Sequence, residues 1–437
     1  MDIHNLIDGN MRVKDAGQEM FRLIERLYPI CRSITGNGVR ETLRILKEYI
    51  PLQVIEVPTG TQVFDWTVPK EWNIKDAYVK NSKGKIIIDF KKSNLSVVSY
   101  SHPVNKSLSL EELKEHLYTL PDHPEWIPYR TSYYQKEWGL CLTQNQLAEL
   151  ENGVYKVCID ASMENGYLTY GEYYLSGKIE EEVLISCHIC HPSLCNDNLS
   201  GIALAIQLAK ELTSESTRYS YRFVFIPGTI GAITWLAMNE QKTPLIKHGL
   251  VLTGVGDSGN ISYKKSRRGN AEIDQAAGHV LKQLNKPHKI IDFFPYGYDE
   301  RQYCSPGFNL PVGCFMRTPH GHYPEYHTSA DNLSFIKIES MADSFVSVFN
   351  ILDVLEKNRK YINTKPKCEP QLGKRRLYEG IGGQSTQAVD QLALLWVLNM
   401  SDGENSLLDI AIRSGCPFSK LRSAADLLIE KKLLTEI

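Results

Sequence analysis

Apolar positions recur at helical spacing along residues 15–50 and predict two helices there. Positions three and four apart share one face of a helix. That face would carry Met20, Leu23, Ile24 and Leu27 in the first helix and Val39, Leu43, Leu46 and Ile50 in the second. From Leu52 to Val57 apolar and polar residues alternate instead, which is typical of a strand.

Between about residues 60 and 155 the pattern changes to short strands interrupted by proline and glycine. The stretch from Pro121 to Trp138 is dense in Pro, Tyr and Trp and predicts a packed irregular loop. We therefore predict a small β-rich domain at residues 61–154, inserted into the domain around it. Its aromatic segment, Trp126 to Trp138, could close a site or provide a surface for homo-oligomer formation.

Residues 181–340 alternate buried strands with amphipathic helices. The strands are predicted at Val183–Ser186, Tyr221–Ile226, Leu250–Thr253 and Pro311–Arg317, and the helices at Leu199–Leu212, Ile230–Met238 and Glu272–Leu284. This alternation is typical of an α/β sandwich with a mixed or parallel sheet. Residues 1–60 and 155–365 are assigned to this α/β domain.

Three further helices are predicted after a basic linker that contains Lys374-Arg375-Arg376. They cover Asp390–Leu398, Ser406–Arg413 and Pro417–Lys431. The last begins with proline, a favoured first helical residue, directly after a tight turn. We predict a winged-helix-like domain at residues 370–437, which could contact DNA or protein.

Composition excludes several functional classes. Of the 437 residues, 42% are hydrophobic and 23% charged, as in an ordinary globular protein rather than a disordered one. A net charge of −2 gives no electrostatic case for bulk nucleic-acid binding. No apolar run approaches the ~20 residues needed to span a bilayer, and the N-terminus lacks a secretory pattern. Because ten cysteines are too dilute for a disulfide scaffold, we expect a cytoplasmic protein with reduced thiols and no membrane contact.

The segment from Cys187 to Gly201 carries the strongest chemical signal. It places His188 at the end of a predicted strand and Asp197 just before a predicted helix. Ligand sites form at strand ends of α/β sheets, and an imidazole with a carboxylate suits a divalent cation such as zinc. Two alternatives stay open: Asp197 could cap the helix, and His188 could be a satisfied core residue.

A second histidine-rich segment runs from Pro319 to Asn332. In it His327 directly precedes hydroxyl side chains and Asp331, which could orient its imidazole, although a surface histidine is the alternative. His320 and His322 are expected to line a pocket rather than bind a metal.

Cysteines around His188 leave two other kinds of site open. Cys187 and Cys190 have a spacing that zinc sites use, but no second CxxC pair completes a structural Cys/His site. The same two thiols could form a redox dithiol, which would leave Asp197 and His327 without a role.

These motifs resemble those of the co-catalytic di-zinc aminopeptidases. Asn196-Asp197-Asn198-Leu199-Ser200-Gly201 resembles that family's Asn-Asp-Asn-x-Ser-Gly signature, whose middle Asp bridges two zinc ions. His188 matches an upstream zinc ligand, and Tyr326-His327-Thr328 matches a late ligand element. The resemblance covers about residues 15–60 and 155–360. It implies a zinc-exopeptidase-like α/β/α sandwich with a mixed sheet.

The whole chain is also similar to bacterial aminopeptidase-like proteins that are often linked to polysaccharide biosynthesis. These proteins carry an inserted domain of unknown function and a C-terminal winged helix. That arrangement matches the composition shifts near residues 60, 155 and 370.

The chain departs from the di-zinc peptidases at three places. It has Cys190 where they have a supporting Asp, Pro227-Gly228-Thr229-Ile230-Gly231 where they have Glu-Glu, and Thr253 where they have an Asp ligand. The resemblance therefore implies one zinc ion rather than two, with three protein ligands as in catalytic mononuclear sites: His188, Asp197 and His327. His191 is the alternative ligand.

The missing glutamates leave the general base to be replaced. We predict Glu300 as the catalytic residue, with Asp299, Arg301 and Tyr326 binding substrate, because arginine binds carboxylates in bidentate fashion. A surface ion pair is the alternative explanation for the charges at 299–301. Two other carboxylates are candidate bases: Glu325 and Glu172.

The predicted function is a zinc-dependent hydrolase of aminopeptidase fold, acting on a peptide or an amide-bearing small molecule. The alternative is a catalytically degenerate binding or regulatory protein that contacts DNA or protein through its C-terminal domain. Loss of the second metal and of the usual base predicts weak activity on simple aminoacyl substrates.

Overall fold

A mixed sheet of eight strands forms the centre of the fold in this computed structural model. The structure describes residues 10–377, 380–381, 384–385 and 391–437. In chain order the strands are β1 Gln53–Pro58, β2 Tyr167–Leu175, β3 Glu182–His188, β4 Ser220–Ile226, β5 Ile246–Leu252, β6 Ile261–Lys264, β7 His288–Ile291 and β8 Val312–Met316. Their order across the sheet is β1-β2-β4-β3-β5-β8-β6-β7.

Four parallel strands, β4, β3, β5 and β8, occupy the middle of this sheet. The strands β1, β2 and β6 pair antiparallel on either side of them. Every residue of β3 and β4 is buried, which explains their largely apolar sequences, and the charged exceptions Glu182 and Arg222 pair with each other. In the register His188 lies opposite Ile226, so the carboxyl ends of β3 and β4 meet at the same edge of the sheet. The predicted α/β/α sandwich with a mixed sheet is confirmed.

Seven helices of the described residues belong to the sandwich or follow it directly. They are α1 Asn10–Leu27, α2 Asn37–Leu46, α3 Gly201–Thr213, α4 Ile230–Met238, α5 Glu272–Gln283, α6 Glu300–Tyr303 and α7 Ile338–Lys357. Except for α6 and α7, each covers a segment for which the apolar spacing predicts a helix. A 3₁₀ helix at Glu240–Leu245 follows α4.

The segment between β1 and β2 forms a separate four-stranded antiparallel sheet. Its strands are Glu71–Lys80, Ile86–Asp89, Val104–Ser109 and Val154–Glu164, accompanied by short helices at Asn94–Ser96, Leu110–Lys114 and Gln144–Ala148. Two small ribbons complete it: Gln62–Val63 with Trp66–Thr67, and Leu117–Tyr118 with Leu140–Cys141. The last strand of the four-stranded sheet continues past residue 154, the predicted end of the insertion.

A three-stranded antiparallel sheet and three helices form the C-terminal part of the chain. The strands are Lys360–Asn363, Asp402–Ser406 and Leu434–Glu436, and the helices are Gln391–Met400, Leu407–Ser414 and Phe418–Glu430. Ser406 caps the second helix through a capping box with Asp409, and Gly415 ends it at a φ of 72°. The first strand lies before residue 370, where the sequence predicts the domain to start. Between this first strand and the helix Gln391–Met400 the chain forms a short 3₁₀ turn, Gly373–Arg375, and a ribbon that pairs Gly380–Ile381 with Gln384–Ser385.

The described residues divide into two compact units. One comprises those up to Gly269 together with Lys289–Val346, and it contains the insertion. The other comprises Asn270–His288 and the described residues of Ser347–Ile437. Among the described residues, no helix combines the length and the apolar character needed to cross a membrane.

Candidate metal centre

Three histidine side chains approach the carboxylate of Asp197 at the carboxyl end of β3. His188 Nε2 lies 2.8 Å from Asp197 Oδ1, and His327 Nε2 lies 3.0 Å from Asp197 Oδ2. His191 Nδ1 lies 3.2 Å from the same Oδ2. The fold therefore brings together the three residues predicted as ligands, and His191 joins them. The ligand atoms of His188, His191 and Asp197 all lie within 4.8 Å of one another.

Burial and the charge of the Asp197 carboxylate determine which groups of this cluster are protonated. Burial alone would raise the pKa of Asp197, but the imidazoles of His191 and His188 lower it well below its ordinary value. Burial lowers the pKa of His188 and of His327, so both rings are neutral near pH 7. An ionised carboxylate beside two neutral imidazoles is a donor set that zinc accepts, so these residues fit that ion.

His191 differs from the other two histidines. Burial lowers its pKa, but the Asp197 carboxylate raises it well above the ordinary value. Its Nδ1 also lies 3.1 Å from the backbone oxygen of Asp197. The Nδ1 atom therefore donates a hydrogen bond to the Asp197 loop, and Nε2 is the ring nitrogen that this contact leaves over.

Buried polar contacts fix the loop that carries Asp197. The Asp331 carboxylate accepts the backbone N–H groups of Asn196, at 2.6 Å, and Asp197, at 3.0 Å. The Asn196 side chain accepts the N–H of Gly256 at 2.8 Å and donates to Asp257 at 3.0 Å. From its position in the sequence, Asp331 was expected to orient the His327 ring. In the structure it instead binds the loop that carries Asp197.

The rest of the Asn-Asp-Asn-x-Ser-Gly segment joins the loop to β5. Asn198 Nδ2 donates to the backbone oxygen of Leu252 at 3.0 Å, and Ser200 Oγ accepts the N–H of Val255 at 3.0 Å. A Cβ on Gly201 would lie 2.5 Å from the Leu252 oxygen, so only glycine allows this approach. The N–H of Gly201, the first residue of α3, donates to Asn198 Oδ1 at 3.2 Å, while the Asp197 carboxylate contacts the imidazoles instead, which argues against the alternative that Asp197 is a helix cap.

The insertion contacts the loop that carries His327. The backbone N–H of Tyr129 donates to the backbone oxygen of His327 at 2.8 Å, and Ser329 N–H donates to Ile127 at 2.8 Å. The Tyr129 ring lies 5.2 Å from the His191 ring and 5.1 Å from the His327 ring. The inserted segment therefore flanks the cluster, as expected from where it leaves and rejoins the α/β core.

A carboxylate that the sequence assigned to substrate binding lies beside His188. A Cβ built on Gly228, which follows β4, would lie 3.1 Å from His188 Cβ and 3.4 Å from Asp299 Oδ2. Asp299 is 1% exposed, and neither carboxylate oxygen has a hydrogen-bond partner among the described residues. Burial and the neighbouring Glu300 raise the pKa of Asp299 to about 7.

Two of the predicted bases are already paired. Glu300 is fully buried and accepts a hydrogen bond from Lys264 Nζ at 2.8 Å. Glu172 accepts from Trp235 Nε1 at 2.7 Å and forms an ion pair with Arg222. Glu300 keeps one oxygen, Oε2, without a hydrogen-bond partner among the described residues, whereas both oxygens of Asp299 are without one. Glu325 is partly buried next to the His327 loop.

Aromatic rings cover two of the imidazoles, and thiols surround the β3 loop. Tyr298 stacks on His188 with ring centroids 5.3 Å apart, and Tyr326 stacks on His327 at 4.0 Å. All cysteines in the described residues are free, and burial raises the pKa of Cys187 well above its ordinary value. The group of side chains close enough to hold an ion contains no cysteine, so the alternative of a Cys/His zinc site gains no support among the described residues.

Comparison with known proteins gives the family context. Residues 21–358 match the family described as a domain of unknown function, DUF4910, and residues 359–436 match a winged helix-turn-helix family. A protein of Clostridium acetobutylicum is 55% identical over 420 residues, 96% of each chain; its name describes a candidate polysaccharide biosynthesis protein with an aminopeptidase-like domain.

Solved structures support the same fold. A crystal structure of a candidate peptidase from Clostridium acetobutylicum superposes with a TM-score of 0.94, at 52% identity and with 100% of both chains covered. A zinc aminopeptidase from Bacillus subtilis superposes with a TM-score of 0.57 at 11% identity, over 78% of this chain and 94% of that one. The second comparison shows the aminopeptidase-like fold of the α/β domain.

Proposed function

The chain belongs to the DUF4910 family, aminopeptidase-like proteins with a C-terminal winged helix, and from that premise we propose that it is a zinc-dependent hydrolase of peptides or amide-bearing small molecules. One observation carries the proposal. Neutral imidazoles converge on the buried, ionised Asp197, and Gly228 separates His188 from the carboxylate of Asp299, which has no hydrogen-bond partner among the described residues.

His188, Asp197 and His327 would hold one zinc ion. The order of the motifs favours His327 as the third ligand, and His191, whose Nδ1 donates to the backbone oxygen of Asp197, is the alternative. Among the described residues one group of His, Cys, Asp and Glu side chains is close enough to hold an ion, which supports one ion per chain; that group is His188, His191 and Asp197, and His327 contacts the same carboxylate at 3.0 Å. Bound zinc would polarise a substrate carbonyl and lower the pKa of a water molecule.

Asp299 takes the role that the sequence assigned to Glu300. A general base works best when its pKa is close to the working pH, and the pKa of Asp299 is raised to about 7. Its free oxygens can accept a proton from the attacking water and return it to the leaving amine. Glu300 stays in its ion pair with Lys264, and its charge helps to raise the pKa of Asp299.

Substitution of Asp299 tests the assignment in the full chain. The protein is stripped with a chelator, reloaded with zinc and assayed on a panel of aminoacyl anilides and amides. We expect Asp299→Asn to lower kcat by about 10²–10⁴-fold, the usual worth of a general base, with zinc content unchanged. Asp292→Asn is the matched control, because that carboxylate is 90% exposed. Full activity of Asp299→Asn would refute the role.

A second candidate function is a binding protein that keeps the metal site without turnover. The observation that favours it is Gly228, which leaves the segment after β4 without the carboxylates of the related peptidases. Tight binding of a metabolite with no hydrolysis across the panel, in wild type and Asp299→Asn alike, would support this function over the first.

The winged-helix part is proposed to contact protein rather than DNA. Arg422, one of its basic residues, is engaged with Asp426 and with Tyr361 Oη. This pairing reduces the positive charge available to phosphates. Retention on a non-specific DNA column at physiological salt would contradict this assignment.

A further inference from the structure

A surface of aromatic rings extends from the candidate metal centre toward the solvent. The His320 ring lies 6.3 Å from Tyr326, which stacks on His327, and 5.1 Å from Tyr298, which stacks on His188. On its other side His320 lies 5.4 Å from Tyr296. Tyr296 is 66% exposed, so this end of the surface is open to a ligand.

Arg301 lies at the open end of this surface. Its guanidinium lies 5.9 Å from the centre of the Tyr296 ring. In the described part of the chain it makes no ion pair, and its buried Nε has no hydrogen-bond partner. The adjacent carboxylates do not satisfy it: Glu300 pairs with Lys264, and the oxygens of Asp299 are not hydrogen-bonded.

His320 presents a second unused polar atom on the same surface. Its Nδ1 is buried and has no partner within the described residues. A neutral imidazole can donate from this nitrogen, and the Tyr296 ring contacts both His320 and Arg301. One ligand that displaces the exposed Tyr296 ring could therefore reach both donors. A buried donor without a partner is costly unless a ligand satisfies it.

We infer that Arg301 and His320 form a subsite for an anionic group of the substrate, a carboxylate or a phosphate, at the position of the Tyr296 ring. The inference rests on the proposed function and specifies its substrate class: an amide whose remote part carries negative charge. The planar guanidinium suits either group, because it can donate two parallel hydrogen bonds.

Matched hydroxamates test the subsite in the zinc-loaded full chain. Succinic monohydroxamate carries a metal-binding group and a carboxylate, and its primary amide replaces the carboxylate by a neutral group of similar shape. Calorimetry should show the carboxylate form binding about ten-fold tighter or better, the worth of a charged hydrogen bond. Arg301→Gln should remove this preference and leave the Kd of the neutral form unchanged. Arg267→Gln, at an exposed arginine, should change neither value.

The outcomes separate this inference from the proposed function. Equal Kd values for the two hydroxamates in wild type would overturn the subsite and leave the metal centre intact. Failure of the neutral hydroxamate to bind would instead contradict the metal centre. The subsite is then decided in zinc-free protein by titration with succinate and with inorganic phosphate, following the His320 ring resonance.

In that titration a shift with succinate alone identifies a carboxylate site, and a shift with phosphate alone identifies a phosphate site. A shift with both supports a general anion site, and a shift with neither overturns the inference. His320→Gln assigns the resonance. If Arg301→Gln does not fold, as judged from its Tm, the hydroxamate pair is measured on His320→Gln, which should also lose the preference.

Discussion

Asp299 lies beside His188 in space that Gly228 leaves open. A Cβ at Gly228 would be 3.4 Å from Asp299 Oδ2 and 3.1 Å from His188 Cβ. The di-zinc peptidases that the sequence motifs resemble carry glutamates after the corresponding strand, whereas this chain has no carboxylate at residues 227–231. The carboxylate of Asp299, which directly precedes α6, instead lies across Gly228 from His188.

Filling that space should impair the site. Gly228→Ala adds a methyl group 3.1 Å from His188 Cβ, which is shorter than ordinary van der Waals contact, so His188 or the segment after β4 must shift. We expect kcat to fall at least ten-fold, since small displacements of catalytic groups are costly. Gly307→Ala is the control, because its Cβ would meet nothing within 4 Å. An equal loss of activity in Gly228→Ala and Gly307→Ala, or full activity in both, would argue against the proposed placement of Asp299 and His188 around Gly228.

The pH dependence of hydrolysis should report Asp299. The pKa of this carboxyl is raised to about 7 by burial and by Glu300, and only its ionised form can accept a proton. Activity should therefore rise as pH increases through this pKa. A bound cation would lower the pKa, so the acidic limb of kcat/KM should lie at or below about 7. Asp299→Asn should lack this limb; an unchanged limb in that variant would assign it to another group.

The ion pair behind Asp299 should contribute strongly to stability. Lys264 and Glu300 are 2% and 0% exposed, and Lys264→Met would leave a buried carboxylate without its partner. We expect the free energy of unfolding to fall by about 3–5 kcal/mol. The neighbouring Lys265 pairs with the exposed Asp292, so Lys265→Met should cost less than about 1 kcal/mol. Denaturant unfolding of the two variants measures the difference, and similar losses would contradict it.

The sequence predicted the parts of the fold that depend on local pattern. Strands buried on both faces have continuous apolar runs, and α4 coincides with its predicted range Ile230–Met238. His188, Asp197 and His327 were found through short motifs in the right order. Each of these signals lies within a few consecutive residues.

What the sequence could not predict depends on contacts between distant residues. Glu300 and Asp299 are adjacent in the chain, and only the positions of Lys264 and Gly228 distinguish the paired carboxylate from the free one. The strand Val154–Glu164 pairs with the insertion although it extends past the predicted boundary. The sequence could not show that Glu172 is paired, because its partner Arg222 lies 50 residues away on another strand.

Zinc stoichiometry tests the central claim most directly. The full chain, loaded with zinc and dialysed, is analysed for metal together with His327→Ala and His191→Ala. A single site held by His188, Asp197 and His327 predicts one zinc per chain in wild type, a large loss of zinc in His327→Ala, and retention in His191→Ala. Two zinc ions per wild-type chain, or full zinc content in His327→Ala, would contradict it.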